Sequence, residues 1–166
     1  MVYAPTQLLG FRQLLPVQQP DVIYLSWQMQ MVEALCALPV EFICQPHPEG
    51  LFGGKPHPLE GMADVRRGQF EQQLREADVF IFDYPSTTTM WQAACTDAKI
   101  IYLDMGSGVM TPEVAAAFAV RGTILPVAFD SANRPLLDNA ALRDAVLAQQ
   151  RPADPSAFRH LLAGTA

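Results

Sequence analysis

Five short apolar runs recur along the chain, and most of them are continuous rather than alternating with polar residues. A strand that is covered on both faces has this pattern, which is typical of a parallel sheet between two layers of helices. The runs are Val2–Ala4, Val40–Cys44, Val79–Phe82, Ile100–Leu103 and Ile124–Val127.

Between these runs, apolar residues recur at the spacing of amphipathic helices. The stripes are Trp27–Leu38, Phe70–Ala77, Met90–Ala94 and Val114–Phe118. Capping residues predict three helix starts, at Thr111, Asp138 and Asp154. The alternation predicts an α/β fold, a Rossmann-like doubly wound parallel sheet of about five strands with C-terminal helices. We expect residues 1–166 to form a single domain.

Composition narrows the class of protein. The chain has 166 residues, 50% of them hydrophobic and 17% charged, so it can bury a core and is not globally disordered. Its formal net charge is −6 and it has no run of Lys or Arg, which argues against nucleic acid as a partner. No stretch of 18 apolar residues occurs, so we expect no transmembrane segment. The odd number of cysteines, 3, favours a reducing, cytoplasmic location.

A run of hydroxyl residues follows the third predicted strand. Ligands of open parallel sheets bind beyond the carboxyl ends of the strands, and Ser86–Thr89 lie there, where a helix begins. Free backbone N–H groups and the positive end of the helix dipole make this position suited to phosphate. The alternative is that Ser86 only caps the helix. For Asp83, which ends the strand, we expect a structural role in capping the turn or orienting a loop.

A histidine between two prolines follows the second predicted strand. Pro46 and Pro48 stiffen the backbone around His47 and can hold its imidazole at the ligand edge, where it can donate a proton or hydrogen bond to a phosphate. The alternative is a surface-loop histidine without a role. His57 repeats the pattern deeper in the loop and is less favoured. The histidines and nearby glutamates match no compact metal site, so no metal is expected.

Three common motifs are absent from the sequence. No G-x-G-x-x-G follows the first strand, and neither G-x-x-x-x-G-K-[ST] nor G-x-S-x-G occurs. These absences argue against a classical dinucleotide-binding domain, a P-loop protein and an α/β-hydrolase. No cofactor is therefore expected.

Five segments, taken in order, resemble one group of enzymes. They are Tyr3–Thr6, Trp27, Cys44–Glu49, Ala77–Thr87 and Lys99–Leu103. Their order and spacing resemble the C-terminal, donor-binding half of GT-B glycosyltransferases, nearest the CDP-glycerol glycerophosphotransferase and surface-polysaccharide branch. In that branch a YAPT strand, an HP motif and a D-Y-x-S/T turn follow one another. The likeness covers residues 1 to 128.

The resemblance implies a Rossmann-like domain that binds a nucleoside-diphosphate donor. By this likeness, Ser86, Thr87 and Thr88 hold the diphosphate. His47 is the implied catalytic residue beside the phosphates or the leaving group, and Thr6 lines the cleft toward a second lobe.

One departure from the family concerns Gln92, which stands where many relatives carry an acid that contacts the ribose of the donor. A glutamine can still bind hydroxyls but carries no charge, so the choice of nucleotide stays open. Such folds generally stabilise the leaving diphosphate with a helix dipole and basic side chains rather than with a metal. The basic candidates here are Lys55 and Arg121.

The resemblance covers one lobe of a two-lobed enzyme. It implies that the acceptor site and the catalytic base belong to an N-terminal lobe or partner. We expect the chain alone to bind a donor weakly and to transfer nothing. The expected location is cytoplasmic, at the inner membrane surface when it is part of a full-length enzyme.

Two other functions stay open at this point. One is a non-enzymatic, flavodoxin-like binding or interaction module that kept the fold and lost the chemistry. The other is half of a nucleotide-sugar 2-epimerase, although the carboxylates that such enzymes use are not apparent. The residues leave open the base, the transferred group, the acceptor, the oligomeric state and whether the chain is cut at a domain boundary.

Overall fold

A computed structural model describes residues 1–10, 19–49, 51–85, 87–106, 110–149 and 154–163. Within this part of the chain, six strands form one parallel sheet and two more form an antiparallel pair. The strands of the sheet are β1 Val2–Ala4, β2 Ile43–Cys44, β3 Asp64–Val65, β4 Val79–Phe82, β5 Lys99–Asp104 and β6 Thr123–Pro126. The pair is β7 Ala128–Phe129 and β8 Pro135–Leu136.

Helices connect most of these strands and follow the last of them. The α-helices are α1 Asp21–Cys36, α2 Thr88–Ala94, α3 Pro112–Arg121, α4 Asn139–Leu147 and α5 Ser156–Ala163. Two short 3₁₀ helices, Pro58–Gly61 and Phe70–Arg75, replace longer helices in the connections on either side of β3.

The strand order across the sheet is β3-β2-β1-β4-β5-β6. The chain builds outward from β1 to β3, returns to the centre at β4, and then builds outward in the other direction. This order creates a topological switch point between β1 and β4, the place where open parallel sheets bind ligands. The predicted Rossmann-like α/β fold is confirmed, with six parallel strands rather than about five.

The core is divided into two clusters, one on each face of the sheet. Successive strand residues point to opposite faces, so Tyr3 and Ile81 pack with α1 and α4, whereas Val2 and Phe80 pack with α2, α3 and α5. All four side chains are fully buried. Burial on both faces explains why the strands have continuous apolar sequences.

Two helix starts use the capping residues that the sequence predicts. The Thr111 hydroxyl accepts a hydrogen bond from the amide of Val114 at 3.4 Å. The Asp138 carboxylate accepts one from the amide of Ala141 at 2.9 Å. Each bond satisfies an amide that the first turn of a helix leaves free, and each places the helix boundary at the expected residue.

Three parts of the chain differ from the expectation. Strand β3 was not predicted because two residues are too few to show a periodic pattern. The stripe from Phe70 forms a 3₁₀ helix, whose i, i+3 spacing is close to that of an α-helix. The pair β7–β8 follows the last strand of the sheet and was also missed. Most of the predicted loop 10–20 lies outside the described residues.

The structure places Arg121 far from the hydroxyl-rich turn. Its guanidinium is 4% exposed and donates to the backbone carbonyls of Ala94, Thr96 and Ala98 at 2.9, 2.6 and 2.7 Å. These carbonyls belong to the connection from α2 to β5, at the amino end of the strand. Arg121 therefore closes the opposite end of the sheet, and it is not a cation for the predicted phosphate.

Replacing Arg121 with methionine leaves these three carbonyls without their donor. We expect the free energy of unfolding to fall by about 3 kcal/mol, because the buried carbonyl oxygens lose a charged hydrogen-bond donor and gain no other partner. Urea denaturation measures this loss. The matched control is Arg143→Met on the exposed side of α4, which should change stability by less than about 0.5 kcal/mol. A loss below about 1 kcal/mol for Arg121→Met would contradict the assignment.

Candidate functional site

A buried carboxylate, Asp83, lies at the carboxyl end of β4 beside the switch point. It is 1% exposed and accepts four hydrogen bonds. Oδ2 accepts from the Tyr3 hydroxyl at 2.6 Å and from Trp27 Nε1 at 3.1 Å. Oδ1 accepts from both the amide and the hydroxyl of Thr6, at 2.7 and 2.6 Å. Asp83 thereby joins β4, β1 and α1, and it orients the loop after β1 as the sequence suggested.

Burial also governs the protonation of this cluster. Removal from water raises the pKa of Asp83 above its ordinary value, and the hydrogen bonds from Thr6, Tyr3 and Trp27 oppose that rise. Burial, followed by the charge of Asp83, raises the pKa of the Tyr3 hydroxyl well above its usual value. The phenol therefore stays a donor to the carboxylate across the physiological range.

Further contacts hold the loop between β1 and α1 in place. Asp21, in the first turn of α1, accepts from the amides of Leu9 and Gly10 at 3.1 and 2.5 Å. The Gln28 side chain donates to the carbonyl of Thr6 at 2.7 Å. Dinucleotide-binding proteins use amides of this loop for pyrophosphate. Here carboxylates of the chain already occupy the amides of Thr6, Leu9 and Gly10, which agrees with the missing glycine fingerprint.

His47 and Thr6 line the same small pocket, between the loops that follow β1 and β2. The pocket has a volume of about 10 Å³, room for roughly one water molecule. The His47 side chain is exposed, and its Nδ1 accepts from the amide of Glu49 at 3.2 Å. That bond assigns the proton of a neutral imidazole to Nε2. His47 can therefore donate a hydrogen bond outward at the ligand edge of the sheet.

His57 makes the same local turn in a buried setting. Its Nδ1 accepts from the amide of Leu59 at 3.3 Å and caps the 3₁₀ helix Pro58–Gly61. The ring is 8% exposed and packs edge-on against Phe52. Burial, with a contribution from Arg67, lowers the pKa of His57. His57 is therefore a neutral capping residue, in agreement with its lower ranking as a candidate.

The hydroxyl-rich turn after β4 forms the start of α2, a helix of 7 residues. The Thr87 hydroxyl caps this helix, accepting from the amide of Met90 at 3.3 Å and from the Thr89 hydroxyl at 3.2 Å. Thr88 is exposed in the first turn, and Gln92 is exposed one turn further along. Ser86 lies outside the described residues. Thr87 is therefore the N-cap of α2, whereas the predicted cap Ser86 is not described, and Thr88 and Gln92 are accessible to a ligand.

The predicted site residues form two groups on the same edge of the sheet. Thr6 and His47 share the pocket over β1 and β2, whereas Thr87, Thr88 and Gln92 belong to α2 beyond β4. Lys55 is exposed in the long loop after β2, where its carbonyl accepts a hydrogen bond from Arg67. Lys55 is thus the basic candidate that solvent can reach.

The partners that surround Asp83 were not predicted from the sequence. Tyr3 and Trp27 were assigned to the apolar pattern and to the family resemblance but given no contact with Asp83, and both are fully buried. A signal was present, since a buried Tyr or Trp needs a partner for its polar atom and an acid stood at the end of a neighbouring strand. Gln28 carried no such signal, because a lone glutamine on a helix is normally solvated.

No potential metal site is found among the described residues, since none of them form a group of three or more His, Cys, Asp or Glu side chains placed to hold an ion. In the same part of the chain, no helix has both the length and the apolar character needed to cross a membrane.

Comparisons with protein-family models, with curated proteins and with solved structures find no match for this chain. The relationship to GT-B enzymes therefore stays a prediction. The strand order and the residues at the carboxyl edge of the sheet are the observations that bear on function.

The first prediction for this site concerns Asp83→Asn. Trp27 Nε1 and the Thr6 amide are obligate donors, and each contacts a different oxygen of Asp83. An asparagine of the same shape must turn its NH₂ group against one of them. We expect a loss of about 2–3 kcal/mol in the free energy of unfolding, measured by urea denaturation. The control Asp78→Asn makes the same change at an exposed position before β4 and should be neutral.

The second prediction concerns pH. Because the pKa of Asp83 is higher in the folded state than the unfolded value of about 3.9, its contribution to stability is complete below about pH 4 and is lost as pH rises through the folded pKa. Protonation is tolerated because the new O–H can donate to the Tyr3 or Thr6 hydroxyl. NMR titration of the Asp83 carboxyl carbon should give a midpoint above the ordinary aspartate value of about 3.9. A midpoint at or below that value would contradict the effect of burial.

Proposed function

We propose that this chain is the donor-binding lobe of a GT-B-type glycosyl or glycerophosphotransferase and that it binds a nucleoside diphosphate at its switch point. The observation that carries the proposal is the strand order, which places the switch point between β1 and β4, the position of the ligand crevice in open parallel sheets. The polar residues Thr6, His47 and Thr88 all belong to loops or turns at this edge of the sheet.

The polar groups at this edge suit a diphosphate that lies across the surface. The His47 Nε2–H is the outward donor on one side of the crevice, and its backbone is held between two prolines. The exposed Thr88 hydroxyl and the positive end of the α2 dipole lie on the other side. The small pocket beside His47 cannot enclose a nucleotide, so the ligand binds over the edge rather than inside it.

The charge of Asp83 restricts where the phosphates can lie. This carboxyl group is covered by Tyr3 and Thr6, and the donors around it favour its charged form. Like charges in a partly buried site repel one another. A diphosphate therefore lies over the edge of the sheet, away from this carboxylate, where His47 Nε2 and the Thr88 hydroxyl can donate to it.

In the proposed reaction, an acceptor hydroxyl forms a new bond to the transferred group. In glycosyl transfer the bond between the sugar carbon and the diphosphate breaks, and in glycerophosphate transfer the bond between the two phosphates breaks. In both cases the charge that develops on the leaving phosphate oxygen needs a hydrogen-bond donor. His47 supplies that donor through Nε2. Gln92, exposed on α2, binds sugar hydroxyls as a neutral donor and acceptor. The acceptor and its catalytic base belong to a second lobe, so this lobe alone binds the donor without turning it over.

A second candidate function is a binding or interaction module without catalysis. The observation that favours it is the use of polar groups within the chain: Thr87 caps α2, and carboxylates occupy the amides of Thr6, Leu9 and Gly10. A protein that kept the fold but lost its ligand would look like this. The response to nucleotides separates the two functions.

The proposal predicts that at least one of UDP, CDP and GDP raises the melting temperature. A ligand at about ten times its Kd should raise it by about 3–5 °C for a chain of this size. His47→Ala and Thr88→Val should each weaken the nucleotide by about 3- to 10-fold through the loss of one hydrogen bond. Differential scanning fluorimetry across a nucleotide titration measures both effects.

His160→Ala on α5 is the matched control, since it removes an exposed histidine that is not at the ligand edge. It should leave the nucleotide response unchanged. If none of the three nucleotides shifts the melting temperature at millimolar concentration, the donor-binding function is wrong and the non-catalytic module is favoured.

A further inference from the structure

We propose that His57 is a pH-sensitive latch, which keeps the segment of residues 51–61 closed while its imidazole is neutral and releases it when the ring takes up a proton. Within this segment the buried residues are His57 and Leu59, and every other residue is exposed or half-buried. The segment contains no strand of the sheet. A part of the chain with so few buried groups can open while the rest of the protein stays folded.

One hydrogen bond makes the closed segment sensitive to protonation. The amide of Leu59 donates to Nδ1 of His57 at 3.3 Å, and this bond caps the 3₁₀ helix Pro58–Gly61. A neutral imidazole can accept at Nδ1 because its proton is on Nε2, whereas a protonated imidazole carries a hydrogen on both nitrogens and accepts at neither. Protonation therefore places two N–H groups against each other and removes the cap.

The position of the His57 ring opposes its protonation in the closed segment. The ring is 8% exposed, and its centroid is 5.1 Å from that of Phe52. Burial, followed by the charge of Arg67, lowers the pKa of His57 from its ordinary value of about 6.5. Since this pKa is lower in the closed state than in the open one, the closed segment is most stable above about pH 6.5 and loses stability as pH falls from that value to the folded pKa.

Two charged groups act on the His57 ring within the described part of the chain, and they act in opposite directions. Arg67 disfavours the protonated ring, whereas Glu60 favours it. The Glu60 carboxylate accepts hydrogen bonds from Arg67 Nε at 2.9 Å and from the backbone amide of His57, so it is not free to pair with a protonated ring. The other titratable residues that line the pocket beside His57 are His47 and Glu49, and both are exposed to solvent, which screens their charges.

Opening of the segment changes the pocket that contains Thr6 and His47. Three of the residues that line this pocket, Leu51, Phe52 and His57, belong to the segment. When the segment detaches, the pocket loses these three side chains and His47 loses the wall that they form. The latch is defined by bonds within the chain, so the inference goes beyond the proposed function and does not depend on it.

Hydrogen exchange of the Leu59 amide, followed by NMR on the full chain between about pH 7.5 and about pH 5.5, tests the latch. After correction for the intrinsic pH dependence of exchange, we expect its protection factor to fall by about 3- to 10-fold, because each pH unit below about 6.5 favours the protonated, open segment by up to tenfold. At about pH 5.5 its protection should be at least tenfold lower than that of Ile101, which lies inside β5 and opens only with the sheet.

His57→Asn separates the cap from the proton. An asparagine oxygen accepts an amide hydrogen bond at an N-cap at any pH, so the variant should keep the segment closed and lose the pH dependence of Leu59 exchange. His47→Asn is the matched control, because it makes the same change at the exposed histidine of the other Pro-His-Pro segment, and it should leave that pH dependence unchanged. The unmodified chain gives a second measurement, since the midpoint of the NMR titration of the His57 ring should lie below about 6.5.

Any one of the following results would overturn the inference. Leu59 could keep the same protection across this pH range, or the His57 ring could titrate at or above about 6.5. The pH dependence could persist in His57→Asn, which would assign it to another group. Equal protection of Leu59 and Ile101 would mean that the segment opens only when the whole protein unfolds. None of these measurements uses a nucleotide, so the latch can fail while nucleoside diphosphates still raise the melting temperature, and the reverse.

Discussion

The carboxylate of Asp83 is the group on which the ligand edge of this protein depends. Removing a charge from water is costly, and four donors from β1, the following loop and α1 compensate it. The Thr6 amide and Trp27 Nε1 can donate hydrogen bonds but cannot accept them. The hydrogen bonds around Asp83 therefore have a single arrangement. The loop after β1 is therefore held in a single position, and with it Thr6 and the near wall of the crevice.

That arrangement also restricts the chemistry at the switch point. In dinucleotide-binding proteins the loop after the first strand is open to pyrophosphate, but here Asp21 and Asp83 occupy its amides. The Thr88 side chain, at the start of α2 beyond β4, is exposed.

The two Pro-His-Pro segments show how tertiary context separates identical local structures. In each, the histidine Nδ1 accepts from the amide two residues ahead, so the local turn is the same. His57 is packed against Phe52 and caps a 3₁₀ helix, and burial lowers its pKa. His47 is exposed at the sheet edge. His57 therefore acts as a structural cap, and His47 is available to a ligand.

The sequence alone determined that helices cover both faces of the sheet, because continuous apolar strands need cover on both sides. It also determined two helix starts, because Thr111 and Asp138 cap their helices through bonds within one turn. Those signals are local, so they survive without the rest of the chain. The tertiary structure decided which distant residues meet. Asp83 contacts Tyr3 across 80 residues and Gln45 contacts Gly68 across 23, and no local pattern encodes either pairing. The candidate site consists of such long-range contacts, because the strand order, set by the packing of both faces, brings separate loops to one edge.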